Sequence, residues 1–381
     1  MKIAVNTRFL LYQNLSGFGV FINEIFSRLV REHPDVEFTF IFDRPYHPSF
    51  IYNDNVRAKV LFPPARHPIL KILYYQISLK KFINSNNFDL FISPDSELPL
   101  HLTCPTLLVL HDLNFFHNKS YLKGLNRRYM LYFTPKFLKA ATHIVTVSEF
   151  CKEDIENHFS FTKNKIGIIY NAASDNFKPL TNDEILKNRD KYSEGKPYFL
   201  FVGSITPRKN LANLIKAYNI YRNNNNNAFP LIIVGGKIHK DKELDYELKN
   251  TKYRSDIHLL GNVSNEEIAQ ILGSAFALVF PSKFEGFGIP IVEAMKAGIP
   301  VITSNISSMP EIADDAAILV DPFNPESIAD AISSLVNSIT LYNELKSKSL
   351  QRVQKFSWDI SAAKMWDEIK ITIDKYKNEM E

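Results

Sequence analysis

Short apolar runs recur along this chain, and between them the apolar residues return at helical spacing. The runs of the first half are KIAVN, EFTFIF, DLFIS, TLLVLHD, HIVTVS and IGIIY. Those of the second half are PYFLFVGS, PLIIVGG, IHLLGNV, FALVFP, IPVITS and AAILVD. Bounded by turn formers, they predict strands. Ile22, Ile25, Phe26 and Leu29 share one helical face, and so do Leu211, Leu214, Ile215 and Tyr218. Ser264 with Glu267 forms a capping box opening a helix that carries Ile268 and Ile271. NPESIADAISSLVN is a further amphipathic helix. The last, SWDISAAKMWDEIKITIDKY, has an apolar stripe of Trp358, Met365, Trp366 and Ile369 that must dock somewhere. The alternation of strand and helix predicts α/β architecture with mostly parallel sheets. The polar stretch NAASDNFKPLTNDE after Tyr170 reads as a linker. The expected organisation is therefore residues 1–175, residues 176–357, and a terminal helix 358–381 packing back towards the first domain. Two such domains, each with a glycine-bearing loop, imply a cleft between them.

Composition narrows the class. At 381 residues, with 45% hydrophobic and 23% charged, the chain suits two soluble globular domains. No apolar run approaches the ~20 residues of a membrane span, and MKIAVNTRFL reads as a first strand rather than a signal peptide. The two cysteines, Cys104 and Cys151, have no paired spacing, so neither a disulfide framework nor a zinc site is expected, and the setting is the cytoplasm. The net charge of +4 divides unevenly: residues 1–180 hold 21 Lys and Arg against 15 Asp and Glu, and the remainder 24 against 26. A basic first half suits an anionic acceptor or a membrane surface. Within it, HPILKILYYQISLKKFI is a candidate for peripheral contact with lipid, or else a helix packed on the sheet with its lysines solvated.

The densest chemistry lies in PSKFEGFGIPIVEAMKAGIP. Glu285 precedes the small-residue turn Gly286, Phe287, Gly288. A helix follows with Pro290 near its start, Glu293 one turn in and Gly298 past its end. A strand–turn–helix junction at the carboxyl edge of an open sheet binds ligands, and a helix start suits a phosphate. Two carboxylates bracketing that phosphate are acceptors for hydroxyl groups, which together describe a nucleotide sugar. GSITPRKNL is the second signal: Gly203 permits a tight turn, and Arg208 and Lys209 sit where a diphosphate would be clamped. In the first half, SGFG (Ser16–Gly19, with Gly17 and Gly19) precedes a helix, and is either a diphosphate approach or a tight loop needing positive φ. His111, beside Asp112 at a strand end, is a candidate for the sugar or reaction centre or a structural corner. There is no D-x-D triplet, no phosphate loop of the G-x-x-x-x-G-K-[ST] kind, no G-x-S-x-G and no histidine metal cluster, so no metal ligands are assigned.

VGSITPRKN, GNVSNEEI and PSKFEGFGIPIVEAMKAGIPVITSNISSMPEIADDAAILVDP resemble the retaining nucleotide-sugar glycosyltransferases of family 4, which have the GT-B fold: two Rossmann-like domains with parallel sheets facing across a cleft. The resemblance is strongest over residues 198–325 and extends more loosely through SGFG, VLHD and TVSEF. It implies that the second domain holds the donor and the first the acceptor. Glu285, His111, Arg208 and Lys209 would then be the catalytic set. Gly17, Gly19, Gly203, Ser204, Val263, Gly286, Phe287, Gly288, Ile289 and Glu293 would bind the donor, with Glu285 on the sugar, Glu293 on the ribose and Val263 by the base. Many relatives carry an arginine where this chain has Ser204. The implied activity is transfer of a hexose from a nucleoside-diphosphate sugar to a glycan or lipid-linked acceptor, without a cofactor, metal ion or nucleic acid. The SNISSMPEIADDAAILVDP segment resembles polysaccharide-assembly members, several of which use GDP-mannose. The alternatives are a nucleotide-sugar hydrolase or epimerase on the same fold, a nucleotide-dependent dehydrogenase, and a noncatalytic sugar-nucleotide-binding protein.

Overall fold

The computed structural model describes all residues except 13, 14, 16, 119–121, 123, 226–228, 238–240 and 381, and the backbone alone of 379 and 380. The chain forms two compact units, Met1–Asn171 with Trp358–Glu381, and Ala172–Ser357. The break falls a few residues before the expected boundary at 175.

The first unit is built on a seven-stranded parallel sheet. Its strands are β1 (Lys2–Asn6), β2 (Glu37–Phe42), β3 (Val56–Val60), β4 (Leu90–Ser93), β5 (Thr106–Val109), β6 (His143–Thr146) and β7 (Ile166–Ile168), in the order β3-β2-β1-β4-β5-β6-β7. β3, VRAKV, was not anticipated. It lies at the sheet edge with a polar outward face, Arg57 and Lys59, and so has no continuous apolar run to mark it. The core is closed by the Gly17–Glu32 helix, whose Phe21, Ile22, Ile25, Phe26 and Leu29 are fully buried. The terminal helix Trp358–Met380 belongs to this unit. It buries Trp358, Met365 and Ile369, stacks Trp366 on His33 at 3.6 Å, and joins Asp359 to Arg28 at 2.6 Å and Glu368 to His143 at 2.6 Å.

The second unit holds a six-stranded parallel sheet of order β10-β9-β8-β11-β12-β13. These are β8 (Phe199–Val202), β9 (Leu231–Val234), β10 (Ile257–Gly261), β11 (Ala277–Phe280), β12 (Val301–Ser304) and β13 (Ala317–Val320). Each unit is therefore a parallel α/β layer structure, as the hydrophobic pattern predicts. Two local expectations fail. The end of the supposed linker is helical, Asn182–Ser193, started by a capping box between Thr181 and Glu184. That helix is polar and mostly exposed, so no periodic stripe betrays it. The SGFG segment is not a tight loop: Gly17, Phe18 and Gly19 are the first turn of the Gly17–Glu32 helix, and Ser16 lies outside the described residues. No helix among the described residues is long and apolar enough to cross a membrane.

Candidate functional site

In the second unit β8 lies between β9 and β11, so the chain passes from one side of β8 to the other. The loops leaving the carboxyl ends of β8 and β11 flank this switch point, where open parallel sheets bind ligands. They are the two segments richest in charged residues and glycine. After β8 the chain turns at Gly203, whose φ of 147° excludes other residues without strain. Its carbonyl packs against Gly235 at the end of β9, where an added Cβ would lie only 2.0 Å from it. A short 3-10 turn, Pro207–Lys209, then presents the two cations. Asn210 closes the turn at φ 64° and gives its side-chain amide to the carbonyls of Pro281 (2.9 Å) and Pro322 (2.6 Å).

The cations do not stand apart from the β11 loop. Arg208 Nη1 lies 2.6 Å and Lys209 Nζ 2.8 Å from the same Glu285 carboxylate oxygen, which also accepts from the Ser282 hydroxyl at 2.5 Å. Arg208 Nη1 further donates to the Phe284 carbonyl, and Lys209 Nζ sits 4.5 Å above the Phe280 ring. The Glu285 backbone is fixed too, its N–H donating to Ser307 (3.1 Å) and its carbonyl accepting from Ser308 (2.9 Å). Glu285 and Lys209 are both more than nine-tenths buried. Burial raises the Glu285 carboxyl, but attraction to Lys209 and Arg208 outweighs it and leaves the group at about 2. Burial also pulls the Lys209 ammonium below its ordinary value, against the attraction of Glu285. The expected clamp and the expected sugar-binding carboxylate thus form a single ion-paired network.

Glu293 is different. It lies one turn into the Ile289–Lys296 helix, whose N-cap, Gly288, adopts φ 95° and supplies no side-chain cap. Its carboxyl has no hydrogen-bond partner among the described residues. Burial drives it up to about 7, Lys209 opposing only weakly. A desolvated carboxyl without donors has the form of a group awaiting a ligand's hydroxyls. The Phe287 ring is buried, edge-on to Phe356 at 5.6 Å, so a ligand would meet this turn through its backbone. Ile289 and Val263 are half-buried and Ser204 is exposed. Val263 follows β10, on the far side of β9 from the cation turn.

In the first unit, His111 follows β5 and is wedged against Phe18 (4.5 Å) and Phe21 (5.1 Å). Its Nε2 lies 3.1 Å from the Pro94 carbonyl. A carbonyl only accepts, so Nε2 carries the proton and Nδ1 keeps its lone pair. Burial lowers the imidazole to about 4, so it is neutral at physiological pH. Asp112, the next residue, accepts from the Asn114 N–H at 2.9 Å. Gly19 serves close packing: an added Cβ would lie 2.5 Å from the Phe9 carbonyl, whereas nothing lies within 4 Å of one at Gly17. His117, Asp154 and His158 are brought together, their ligand atoms within 4.8 Å of one another, a cluster that sequence spacing did not reveal. Asp154 is already engaged by both histidines, 2.8 Å from His117 and 3.2 Å from His158.

Sequence reasoning also passed over Asn210, Ser282, Ser307 and Ser308. The signal available for the serines was their clustering in PSKFEG and SNISSM; their bonds to Glu285 needed the fold.

Each unit is a parallel α/β structure, and the second carries the Arg208–Lys209–Glu285 network at its switch point. The family model for glycosyl transferases group 1 matches residues 182–352, and that for glycosyltransferase family 4 matches residues 15–176. O-antigen chain mannosyltransferase B of Escherichia coli is 30% identical over 71% of this chain and 71% of its own length. O-antigen chain mannosyltransferase RfbU of Salmonella typhimurium is 30% identical over 72% of this chain and 76% of its own. Among solved structures, a sucrose-phosphate synthase from Thermosynechococcus elongatus superposes with a TM-score of 0.77 at 16% identity, covering 97% of this chain and 98% of that one. WaaG, a glycosyltransferase involved in lipopolysaccharide biosynthesis, gives 0.74 at 16% identity, covering 96% and 98%. The chain belongs to the group 1 glycosyltransferases of GT-B type.

Proposed function

We propose that this glycosyltransferase moves a hexose from a nucleoside-diphosphate sugar to a hydroxyl of a glycan or lipid-linked acceptor in surface polysaccharide synthesis, with the anomeric configuration retained and without a metal ion. The observation that carries this reading is the pairing of Arg208 and Lys209 with Glu285 near the Glu293 carboxyl, which has no hydrogen-bond partner among the described residues. An incoming diphosphate competes for the two cations and releases Glu285 towards the sugar hydroxyls. Glu293 ionises as it accepts from the ribose. The bond from the anomeric carbon to the phosphate oxygen breaks and a bond to the acceptor oxygen forms on the same face. The acceptor proton passes to the departing phosphate oxygen, so nucleoside diphosphate leaves as the second product. Arg208 and Lys209 stabilise the charge growing on that leaving group, a task worth several kcal/mol when donors are preorganised.

The names of the curated relatives favour mannose, and the sequence resemblance favours GDP as carrier. The donor and the acceptor would both be met on the cytoplasmic side of the membrane. A thermal-shift panel of GDP-, UDP- and ADP-sugars identifies the donor, followed by transfer to glycan and lipid-linked acceptors with the product anomer read by NMR. Stabilisation by none of these donors would overturn the reading, and an inverted product would overturn retention.

A further inference from the structure

Among the described residues, His117, Asp154 and His158 are the one group of histidine, cysteine and carboxylate side chains that could hold a metal ion. The group lies in the first unit, whereas the cation turn and both glutamates of the donor site lie in the second. Asp154 and His158 stand one turn apart on the Glu149–His158 helix, so both side chains leave the same face. His117 ends the single turn Asn114–His117, which follows β5 and His111. Asp112 caps that turn through the Asn114 N–H, and Phe116 seats it against Phe159, edge-on at 5.5 Å, just past the end of the longer helix. The cap and the Phe116–Phe159 contact thus bring the two elements together independently of the three side chains.

The separations suit a shared ion. His117 Nε2 lies 2.8 Å from both Asp154 carboxylate oxygens, and His158 Nδ1 lies 3.2 Å from one of them. The two imidazole rings are 5.0 Å apart and nearly perpendicular, at 89°. Ligand atoms about 2.1 Å from one ion stand about 3.0 Å apart at a right angle and about 3.4 Å apart in a tetrahedron. Small side-chain movements therefore suffice to admit the ion. Each imidazole is 37% exposed and the carboxylate only 9%, so the pocket is open to water on its histidine side. The nitrogens meet Asp154 through hydrogen bonds, His158 Nδ1 also donating to the Asp154 carbonyl at 2.9 Å. A bound ion would take the place of those protons.

We propose that His117 Nε2, the Asp154 carboxylate and His158 Nδ1 bind a divalent transition-metal ion, Zn²⁺ foremost, with water completing its shell. Two imidazoles and one carboxylate suit Zn²⁺, Co²⁺ or Ni²⁺, whereas Mg²⁺ and Ca²⁺ require oxygen ligands. The ion ties the turn that follows His111 to the Glu149–His158 helix. The same helix already reaches His111, because Cys151 Sγ donates to the His111 carbonyl at 3.3 Å. The ion is thus a brace on the segment that carries His111, and the transfer step does not run through it. The inference goes beyond the donor-site reading and does not depend on it, since metal binding is measured without a donor.

The test uses the full chain without an affinity tag, stripped with a chelator and dialysed, then titrated with Zn²⁺ by calorimetry and with Co²⁺ by visible absorption. Expected are a single tight site per chain and Co²⁺ bands that Zn²⁺ abolishes and excess Mg²⁺ or Ca²⁺ does not. The melting temperature should rise with the logarithm of free Zn²⁺. His117→Gln and His158→Gln should each weaken Zn²⁺ binding at least about tenfold. His258→Gln, in the second unit, should leave it unchanged. Both substituted imidazoles are partly exposed, and melting of each variant without the ion checks that it folds. The proposal is overturned if the unaltered protein takes up no Zn²⁺, or if either histidine variant binds it as tightly as the parent. Displacement of Co²⁺ by Mg²⁺ or Ca²⁺ as readily as by Zn²⁺ would overturn it as well.

Discussion

Replacing Glu293 by glutamine should make the protein more stable and less able to bind its donor. Burial holds this carboxyl up at about 7 against an ordinary value of 4.5. A group raised in the folded state gives its full stability below the unfolded value and loses it as pH rises through the folded value. The cost of ionising Glu293 therefore accumulates between about pH 4.5 and pH 7, at ~1.36 kcal/mol per pH unit, or roughly 3 kcal/mol in all. The residue keeps some solvent exposure, so about 2–3 kcal/mol is expected at pH 8. For a unit of this size that is a rise in melting temperature of roughly 5–10 °C. Glutamine has the shape of the protonated acid and avoids the cost. Differential scanning fluorimetry of both proteins should show near-equal melting at about pH 4.5 and a gap that opens towards about pH 8. Addition of the donor should then raise the melting temperature of the unaltered protein but scarcely that of Glu293→Gln. A gap independent of pH, or a variant that melts below the parent at pH ~8, would refute the argument, because either result means that Glu293 is not a desolvated carboxyl.

Three further predictions concern its neighbours. Glu285→Gln leaves Arg208 and Lys209 buried against a neutral oxygen and should destabilise the protein by about 3 kcal/mol while abolishing transfer. Because the Glu285 carboxyl is depressed to about 2, that deficit should stay constant above about pH 5 and shrink as pH falls towards 2, as read by chemical denaturation. Arg208→Ala with Lys209→Ala should weaken nucleoside-diphosphate binding at least tenfold by calorimetry; unchanged affinity would remove both residues from the donor site. His111, lowered to about 4, gives stability that is present above its ordinary 6.5 and lost as pH falls through 4. His111→Gln should lack that acid-side loss, and an NMR titration of His111 with a midpoint near 6.5 would contradict the buried, neutral ring.

The sequence by itself determined the architecture and the kinds of group in the site. Strand sequences made mostly of apolar residues, including the partly exposed edge strands β7, β10 and β13, let twelve of the thirteen strands among the described residues be read directly. The edge strand β3 could not, because its outward face stays wet and its run is broken by Arg57 and Lys59. The Asn182–Ser193 helix escaped for the same reason, although its capping box was written in TNDE. The glycines, the two cations and the two glutamates were likewise legible, since each is chemistry carried by one residue in one local turn. Only the tertiary structure decided how they meet. Arg208 and Glu285 are 77 positions apart in the chain and come within hydrogen-bonding distance because β8 and β11 are neighbours in the sheet. The same packing separates the two glutamates in kind. Two cations hold Glu285 ionised, whereas Glu293, with no hydrogen-bonding partner among the described residues, is desolvated by the elements folded around it. Local sequence names an acid; the dielectric and the charges brought to it from distant strands set whether it is paired or left waiting.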